Sequence, residues 1–287
     1  MTPSRRLTLL SIVVLLFVTG VIWVAVLQEE RTGQLSVSFL DVGQGDAIFI
    51  KSPTGKQILI DGGPGSAVLR QLPRTMPWYD RSIDMIVGTH ADMDHISGLI
   101  ELLPRYRVET ALVPSTKGTS GAWKTYLDEL QTEEQSGAQV LLAQRGERID
   151  IGGGAYLRVL FPDRELPNIE TNTGCIVTQL VYGSTAFMLP CDSPSAIENY
   201  LALIDGTNLK SDVLKAGHHG SKTSSSPLFV GLVNPRYVVF SRGCDNTYGH
   251  PSPETDATFE RFAIPILDTC TEGTITFVSV GQTVSRK

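Results

Sequence analysis

The chain has 287 residues, room for a short targeting segment and one large domain. Its composition is that of an ordinary globular protein without low-complexity tracts, which argues against a fibrous or disordered chain. A formal net charge of −6 excludes a protein that is basic throughout, so any contact with a polyanion has to be local.

Leu7 to Leu27 form one uncharged, mostly apolar run of 21 residues, long enough to cross a bilayer as a helix. Arg5 and Arg6 precede it, and Glu29 and Glu30 follow. The positive-inside rule then predicts a single-pass plasma-membrane anchor with its N-terminus in the cytoplasm and an extracytoplasmic remainder. A cleaved signal peptide is the competing reading. Against it, the run exceeds a usual signal h-region and lacks a clean small-x-small site near its end. The run has no polar face, which disfavours a buried core helix. With the polar linker Gln28 to Gly33, residues 1–33 read as anchor and linker. Residues 34–287, in which no further linker stands out, read as one domain.

Leu35 to Leu40 alternates like a strand. Ala47 to Ile50 and Gln57 to Ile60 read as a hairpin around Pro53-Thr54-Gly55. Ile83 to Val87 suits a buried strand. A helix is expected from Ser97 to Leu103, stopped by Pro104, and a surface helix from Trp123 to Leu130. Ile151 to Gly154 reads as a plain turn. Leu157 to Phe161, Ile176 to Tyr182 and Thr185 to Leu189 read as strands, the last two joined at Gly183-Ser184. Pro194 to Ile204 looks helical, with Ser193 as N-cap and Pro194 at N1. Val213 to Ala216, Tyr237 to Phe240 and Ile275 to Val278 are further strands. This is mixed α/β with many hairpins, which fits neither a Rossmann fold nor a TIM barrel. Four cysteines allow three pairings, and Cys175 and Cys191 flank a predicted hairpin that a bridge can span.

The chemistry concentrates in a few strand ends. Thr89 to His95 puts two imidazoles and two carboxylates, His90, Asp92, Asp94 and His95, into six consecutive positions, a donor set suited to zinc, manganese or iron. A solvated acidic turn is the alternative. Leu59-Ile60-Asp61-Gly62-Gly63 ends a strand in a carboxylate that can orient a liganding imidazole, although alone it is only a turn. Phe187 to Asp192 ends another strand. Asp192 is a candidate bridging ligand or, alternatively, a helix cap. Gly217-His218-His219-Gly220-Ser221 pairs two imidazoles between glycines. One can bind metal while the other moves a proton, and no nucleophile elbow surrounds Ser221. His250, in Asn246 to Pro251, is a further ligand, a phosphate contact or an exposed turn histidine. The loop Asp41 to Asp46 joins two strands beside these motifs without a P-loop pattern, and Asp46 is taken with Asp61 as a supporting carboxylate. One internal echo stands out: Asp84 to His90 and Asp212 to His218 each run from an aspartate through a short apolar strand to a histidine six positions on. Coincidence and two similar half-domains both produce it.

Taken in order, these motifs resemble the metallo-β-lactamase superfamily, and more narrowly the metallo-β-lactamase-like domain of the ComEC competence proteins. The matching stretches are Phe39 to Ala47, Asp61-Gly62-Gly63, Thr89 to His95, Asp192, His218 to Ser221 and Tyr248 to Pro251. The resemblance implies an αββα sandwich, preceded here by the N-terminal transmembrane helix, with metal held at the sheet edges. It implies two divalent ions, manganese or zinc, held by His90, Asp92, Asp94, His95 and Asp192, with Asp61 in support. Asp92 replaces the middle histidine of the usual HxHxDH pattern, and this harder oxygen ligand favours manganese. The echo favours His218 as a further ligand, with His219 and Asp94 as the catalytic pair. The late position of His250 suits a last ligand. Cys191 stands where the family usually has glycine, as does Ser97 near Gly98.

The function expected is a membrane-anchored, extracytoplasmic, metal-dependent phosphodiesterase or nuclease acting on DNA. Lys210, Lys215, Lys222, Arg236 and Arg242 offer a local phosphate track or plain surface charge. A single anchor cannot form a channel, so a separate transport-channel protein is the expected partner in DNA import. The alternatives are a metallohydrolase of a lactone, thioester or β-lactam, and a non-catalytic metal- or DNA-binding domain.

Overall fold

The computed structural model describes residues 3–28 and 33–287. Most of the expected linker, with Glu29 and Glu30, lies outside the described residues. Helix α1 (Pro3–Gln28) contains the stretch Arg5–Val24, with mean hydropathy 2.7 and exposed side chains. It is long and apolar enough to cross a membrane.

From Leu35 onward the order is β1 (Leu35–Phe39), β2 (Ile48–Lys51), β3 (Gln57–Ile60), α2 (Ala67–Thr75), β4 (Ser82–Val87), α3 (Met93–Leu102), β5 (Arg107–Val113), α4 (Gly121–Gln135), β6 (Gln139–Leu142), β7 (Arg148–Gly152) and β8 (Ala155–Phe161). The second half runs β9 (Val177–Tyr182), β10 (Thr185–Leu189), α5 (Ser195–Asp205), β11 (Val213–Lys215), α6 (Pro227–Val233), β12 (Tyr237–Phe240), α7 (Pro253–Arg261), β13 (Ile266–Asp268), α8 (Thr269–Glu272), β14 (Ile275–Ser279) and β15 (Val284–Arg286). One sheet has the order β15-β14-β1-β2-β3-β4-β5-β6, and the other β13-β12-β11-β10-β9-β8-β7.

Alternation along the strands sends one set of apolar residues between the sheets, including Val37, Ile50, Leu157, Phe187 and Val239. Residues of opposite parity face outward. Phe49, Leu59 and Ile86 pack under α2, α3 and α4 with Leu72, Leu99 and Tyr126, while Met188, Leu214 and Val238 pack with Leu201, Phe229 and Phe259 from α5, α6 and α7. The layers are therefore helix, sheet, sheet, helix, as the resemblance implies.

The internal echo has a structural counterpart. β2, β3 and β4 repeat the pattern of β9, β10 and β11, an antiparallel pair followed by a parallel one. The two aspartates do equivalent work. Asp84 accepts from the Gln57 backbone N–H at the start of β3, and Asp212 from the Ala186 N–H in β10.

Three local expectations need correction. α3 starts at Met93 rather than Ser97, because Asp92 is extended and its carbonyl already accepts from His95 and Ile96. Asp94 and His95 therefore sit on the first turn of a helix. Pro194, not Ser193, takes the N-cap position of α5. The Ser193 hydroxyl is buried without a partner, and its carbonyl accepts from Ser224. The turn expected at Ile151 to Gly154 begins inside β7, which reaches Gly152 and carries an irregularity there. Cys175 is bridged to Cys191 across the β9–β10 hairpin, and Cys244 to Cys270.

Candidate metal centre

β3 and β4 are parallel, as are β10, β11 and β12, and the chemistry follows the C-terminal ends of these strands. Asp61 follows β3, Thr89 to His95 follow β4, Asp192 follows β10, His218 and His219 follow β11, and Ser241 follows β12. A crevice outside strand carboxyl ends is the usual place for a ligand in sheets of this kind. Several of these turns are strained. Asp61, Cys191, His218 and His219 have φ of 57°, 48°, 48° and 54°, a region that disfavours residues with a Cβ. A glycine at position 191 would adopt this φ without that cost.

Hydrogen bonds fix which nitrogen of each imidazole is bare. The carboxylate of Asp61 accepts from the Thr89 backbone N–H (2.8 Å) and the Thr89 hydroxyl (2.7 Å), and its Oδ2 lies 2.8 Å from His95 Nδ1. His95 Nδ1 therefore carries the proton. The Thr89 hydroxyl spends its one proton on Asp61, so it accepts from His90 Nδ1 at 2.9 Å. His219 Nδ1 donates to the Ser241 carbonyl at 2.8 Å. Each ring is thus left with an Nε2 lone pair aimed into the crevice, and that of His90 is buried with no partner.

These lone pairs meet carboxylates. His219 Nε2 lies 3.2 Å from Asp192 Oδ2, 3.4 Å from Asp94 Oδ2 and 3.3 Å from His95 Nε2. His95 Nε2 lies 3.2 Å from Asp192 Oδ2. One donor atom each from Asp94, His95, Asp192 and His219 falls within 4.8 Å of the others, as does one each from Asp46, Asp61 and His95. His90 Nε2 sits 3.7 Å from Asp92 Oδ2, beside the first group, since the rings of His90 and His95 are 4.1 Å apart. The other oxygen of Asp92 accepts from Thr171.

Asp46, Asp61 and Asp192 are buried carboxylates; the buried ammonium of Lys215 faces Asp46 and Asp192, while Asp61 faces Thr89 and His95. The ammonium touches Asp46 Oδ2 (2.5 Å), Asp192 Oδ1 (3.0 Å) and the Cys191 carbonyl (3.1 Å). One ammonium among three carboxylates leaves the rest of the balance to His95 and His219, either as protonated rings or as ligands of a bound cation. Burial opposes charge on His95 and His219, yet Asp192 holds both well above the ordinary imidazole value, with Asp61 adding to His95 and Asp46 to His219. Protons and a divalent cation would compete for the same Nε2 atoms. Bare imidazole nitrogens and carboxylate oxygens fit zinc or manganese.

The two histidines of Gly217 to Gly220 exchange the places expected of them. His219 is buried within the donor cluster. His218, 30 % exposed in its side chain, stands at the edge with Nε2 3.7 Å from Asp192. His250 lies outside both donor groups, its ring packed edge-on against His218 at 5.8 Å and stacked on the exposed Tyr248. The expected phosphate track does not form. Lys215 is buried, Arg242 is paired with Asp268 at 2.8 Å, and Lys210 and Arg236 sit at the opposite end of β11 and β12. Lys222 alone of the five is exposed at the site end.

Sequence reasoning missed Lys215 as part of the centre, although a lysine inside the apolar run Val213 to Ala216 was the available signal. It also missed Glu198, a buried α5 carboxylate that accepts the Ser225 and Ser226 backbone N–H groups at 2.8 and 2.7 Å and so anchors the segment after His219. The Ser241 carbonyl carries no side-chain signal.

The model of the metallo-beta-lactamase superfamily matches residues 40–241. Among curated proteins, ComE operon protein 3 of Bacillus subtilis is 28 % identical over 265 residues, covering 84 % of this chain and 32 % of that protein. Competence protein ComA of Neisseria gonorrhoeae is 29 % identical over 245 residues, covering 85 % and 32 % respectively. The chain thus spans about a third of the length of these relatives. Among solved structures, CmlA, a diiron beta-hydroxylase from Streptomyces venezuelae, superposes with a TM-score of 0.55 at 15 % identity, over 88 % of this chain and 54 % of that one. That likeness shows the fold.

Proposed function

From the premise that this chain belongs to the metallo-beta-lactamase superfamily, generally metal-dependent hydrolases, we propose that it is a membrane-anchored, metal-dependent phosphodiesterase that cleaves DNA outside the cytoplasm. The observation that carries the hydrolase reading is the convergence of Asp94, His95, Asp192 and His219, one donor atom of each lying within 4.8 Å of the others. The competence relatives support DNA as the substrate. Two disulfides favour an oxidising compartment, and Arg5 and Arg6 before the apolar helix favour a cytoplasmic N-terminus. A transport channel, where import is the setting, would be a separate protein.

In this reading Asp94, His95, Asp192 and His219 would hold one divalent ion, and His90 with Asp92 would contribute to a second. Divalent ions in such a centre polarise a phosphoryl oxygen and lower the pKa of a bound water. The chain's own groups prepare this. Asp61 and the Ser241 carbonyl lock His95 and His219 with Nε2 inward. Lys215 fixes Asp192 by the oxygen that does not face the imidazoles. His218 is the proton carrier: partly exposed, with Nδ1 3.3 Å from the Thr223 hydroxyl, its Nε2 opens toward arriving substrate. This exchanges the expected roles of His218 and His219. His250 backs the His218 ring and Asp46 supports His219 from behind, at 3.4 Å.

The test is cleavage of single-stranded DNA by the purified chain with manganese or zinc, beside a panel of lactone, thioester and β-lactam substrates. Metal-stimulated cleavage that falls about 100-fold or more in Asp94→Ala is expected, because the variant loses one of the four groups that would hold the ion. Intact DNA with every ion, or turnover confined to the carbonyl substrates, would overturn the nuclease reading.

A further inference from the structure

β1 and β4 both begin at one end of the sandwich and run toward the metal centre at the other. Through the register, Leu35 lies opposite Ser279, Ser36 opposite Lys51, and Ser82 beside Arg107. The turn at Gly183-Ser184 closes the same end in the second sheet, bonded to the Gly281 carbonyl. Gly33 belongs to this end as well, since its carbonyl accepts from the Tyr182 hydroxyl at 2.8 Å. Four residues separate Gln28, the last of the apolar helix, from Gly33. A chain of that length reaches no more than about 18 Å. Where the helix spans a bilayer, this end is therefore tied close to the headgroups.

The same end carries the surface a headgroup layer would select. The loop between α2 and β4 exposes Trp78 (75 %) and Tyr79 (42 %), large aromatics with a polar tip that favour membrane interfaces. Arg81, Arg105 and Arg107 are exposed around them. Arg81 bonds the Tyr106 hydroxyl, Arg105 pairs with Glu101 at 3.2 Å, and Arg107 only approaches Glu109 at 3.9 Å. Such exposed pairs lose little when a phosphate replaces the carboxylate. Asp80, the acid within the loop, is occupied by Ser82 and Gln57.

We propose that this end of the sandwich docks on an anionic phospholipid surface through Trp78, Tyr79 and the three arginines, so that the metal centre opens away from the membrane. His90 lies eight residues beyond Ser82 along the strand direction, roughly 25 Å further from the lipid. Substrate is then met in the open space outside the bilayer. The inference rests on the anchoring reading given under the proposed function.

The test uses the full chain in nanodiscs containing phosphatidylglycerol and a headgroup-nitroxide phosphatidylcholine, in a Trp23→Phe background. Trp123 remains as an internal control, buried beside Gly118 at the metal-centre end. Trp23→Phe should lose much of its indole emission to the nitroxide, and adding Trp78→Phe should abolish that loss. Disc-bound chain quenched equally with and without Trp78 would overturn the docking alone. Chain that elutes apart from the discs would overturn the anchoring, and the docking with it.

Discussion

Lys215 carries more of the centre than any single ligand, because two buried carboxylates share it. Replacing it by methionine keeps the bulk and removes the charge, leaving Asp46 and Asp192 without their cation. A loss of about 3–5 kcal/mol in unfolding free energy is expected, the range for breaking a buried ion pair from one side. Added metal should recover part of it, so urea titrations with zinc and with a chelator must differ more for Lys215→Met than for the parent. Glu198 gives a pH signature. Burial pushes its carboxyl up to about 7 from an ordinary 4.5, against the pull of the Ser225 and Ser226 N–H groups. A folded-state value above the unfolded one means stability is present in full below pH 4.5 and is lost as pH rises through about 7, by about 3 kcal/mol in all. Glu198→Gln should flatten that fall in urea titrations between pH 4.5 and 7, and parallel profiles would speak against it. The candidate ligands were legible because imidazole and carboxylate at strand ends announce themselves. The division of labour between His218 and His219 was not, since it depends on two consecutive left-handed residues that turn the second ring inward and leave the first at the rim.

At the level of elements, the contact between α3 and the loop after β3 decides whether the ligands on α3 reach the centre. Gly62 donates to the His95 carbonyl at 2.7 Å, and Gly98 donates to the Gly63 carbonyl at 2.8 Å. A Cβ on Gly98 would fall 1.9 Å from the Gly62 carbonyl oxygen, which is backbone and cannot swing aside. Gly98→Ala should therefore cost about 1–3 kcal/mol, as overpacking does, and should also push Asp94 and His95 out of register. Zinc affinity measured by competition with a chromophoric chelator should fall at least about tenfold, as for lost support of a liganding group. Unchanged affinity would show that α3 is held by other contacts. Strong alternation made most strands legible, and both hairpins followed from their turns. The elements that escaped were α2, with Pro73 inside it, the strands β5, β6, β7, β13 and β15, and the short helices α6, α7 and α8. Their sequences are polar or brief, and tertiary packing rather than local pattern stabilises them. α3 begins at Met93 because Asp92 takes the N-cap position with its carbonyl accepting from His95 and Ile96, while its side chain bonds Thr171.

For the whole molecule, the two-sheet architecture explains how His95 and His219, 124 positions apart, come together in one group of candidate metal donors. Each half ends a parallel pair of strands at the same edge, and the facing edges bring Asp94 and His95 against Asp192 and His219. The echo between Asp84 to His90 and Asp212 to His218 was the sequence trace of this arrangement. What it could not convey was the buried charge cluster, which appears only once Asp46, Asp61, Asp192 and Lys215 are placed together with His95 and His219. A divalent ion bound there stabilises the folded state by linkage, so stripping it should lower the melting temperature and restoring it should raise it. The most direct measurement is anomalous diffraction at the zinc edge from crystals of the chain grown with zinc. A peak coordinated by Asp94, His95, Asp192 and His219 is expected, and its absence in Asp192→Ala. Zinc-saturated crystals with no anomalous density between those four side chains would contradict this assignment.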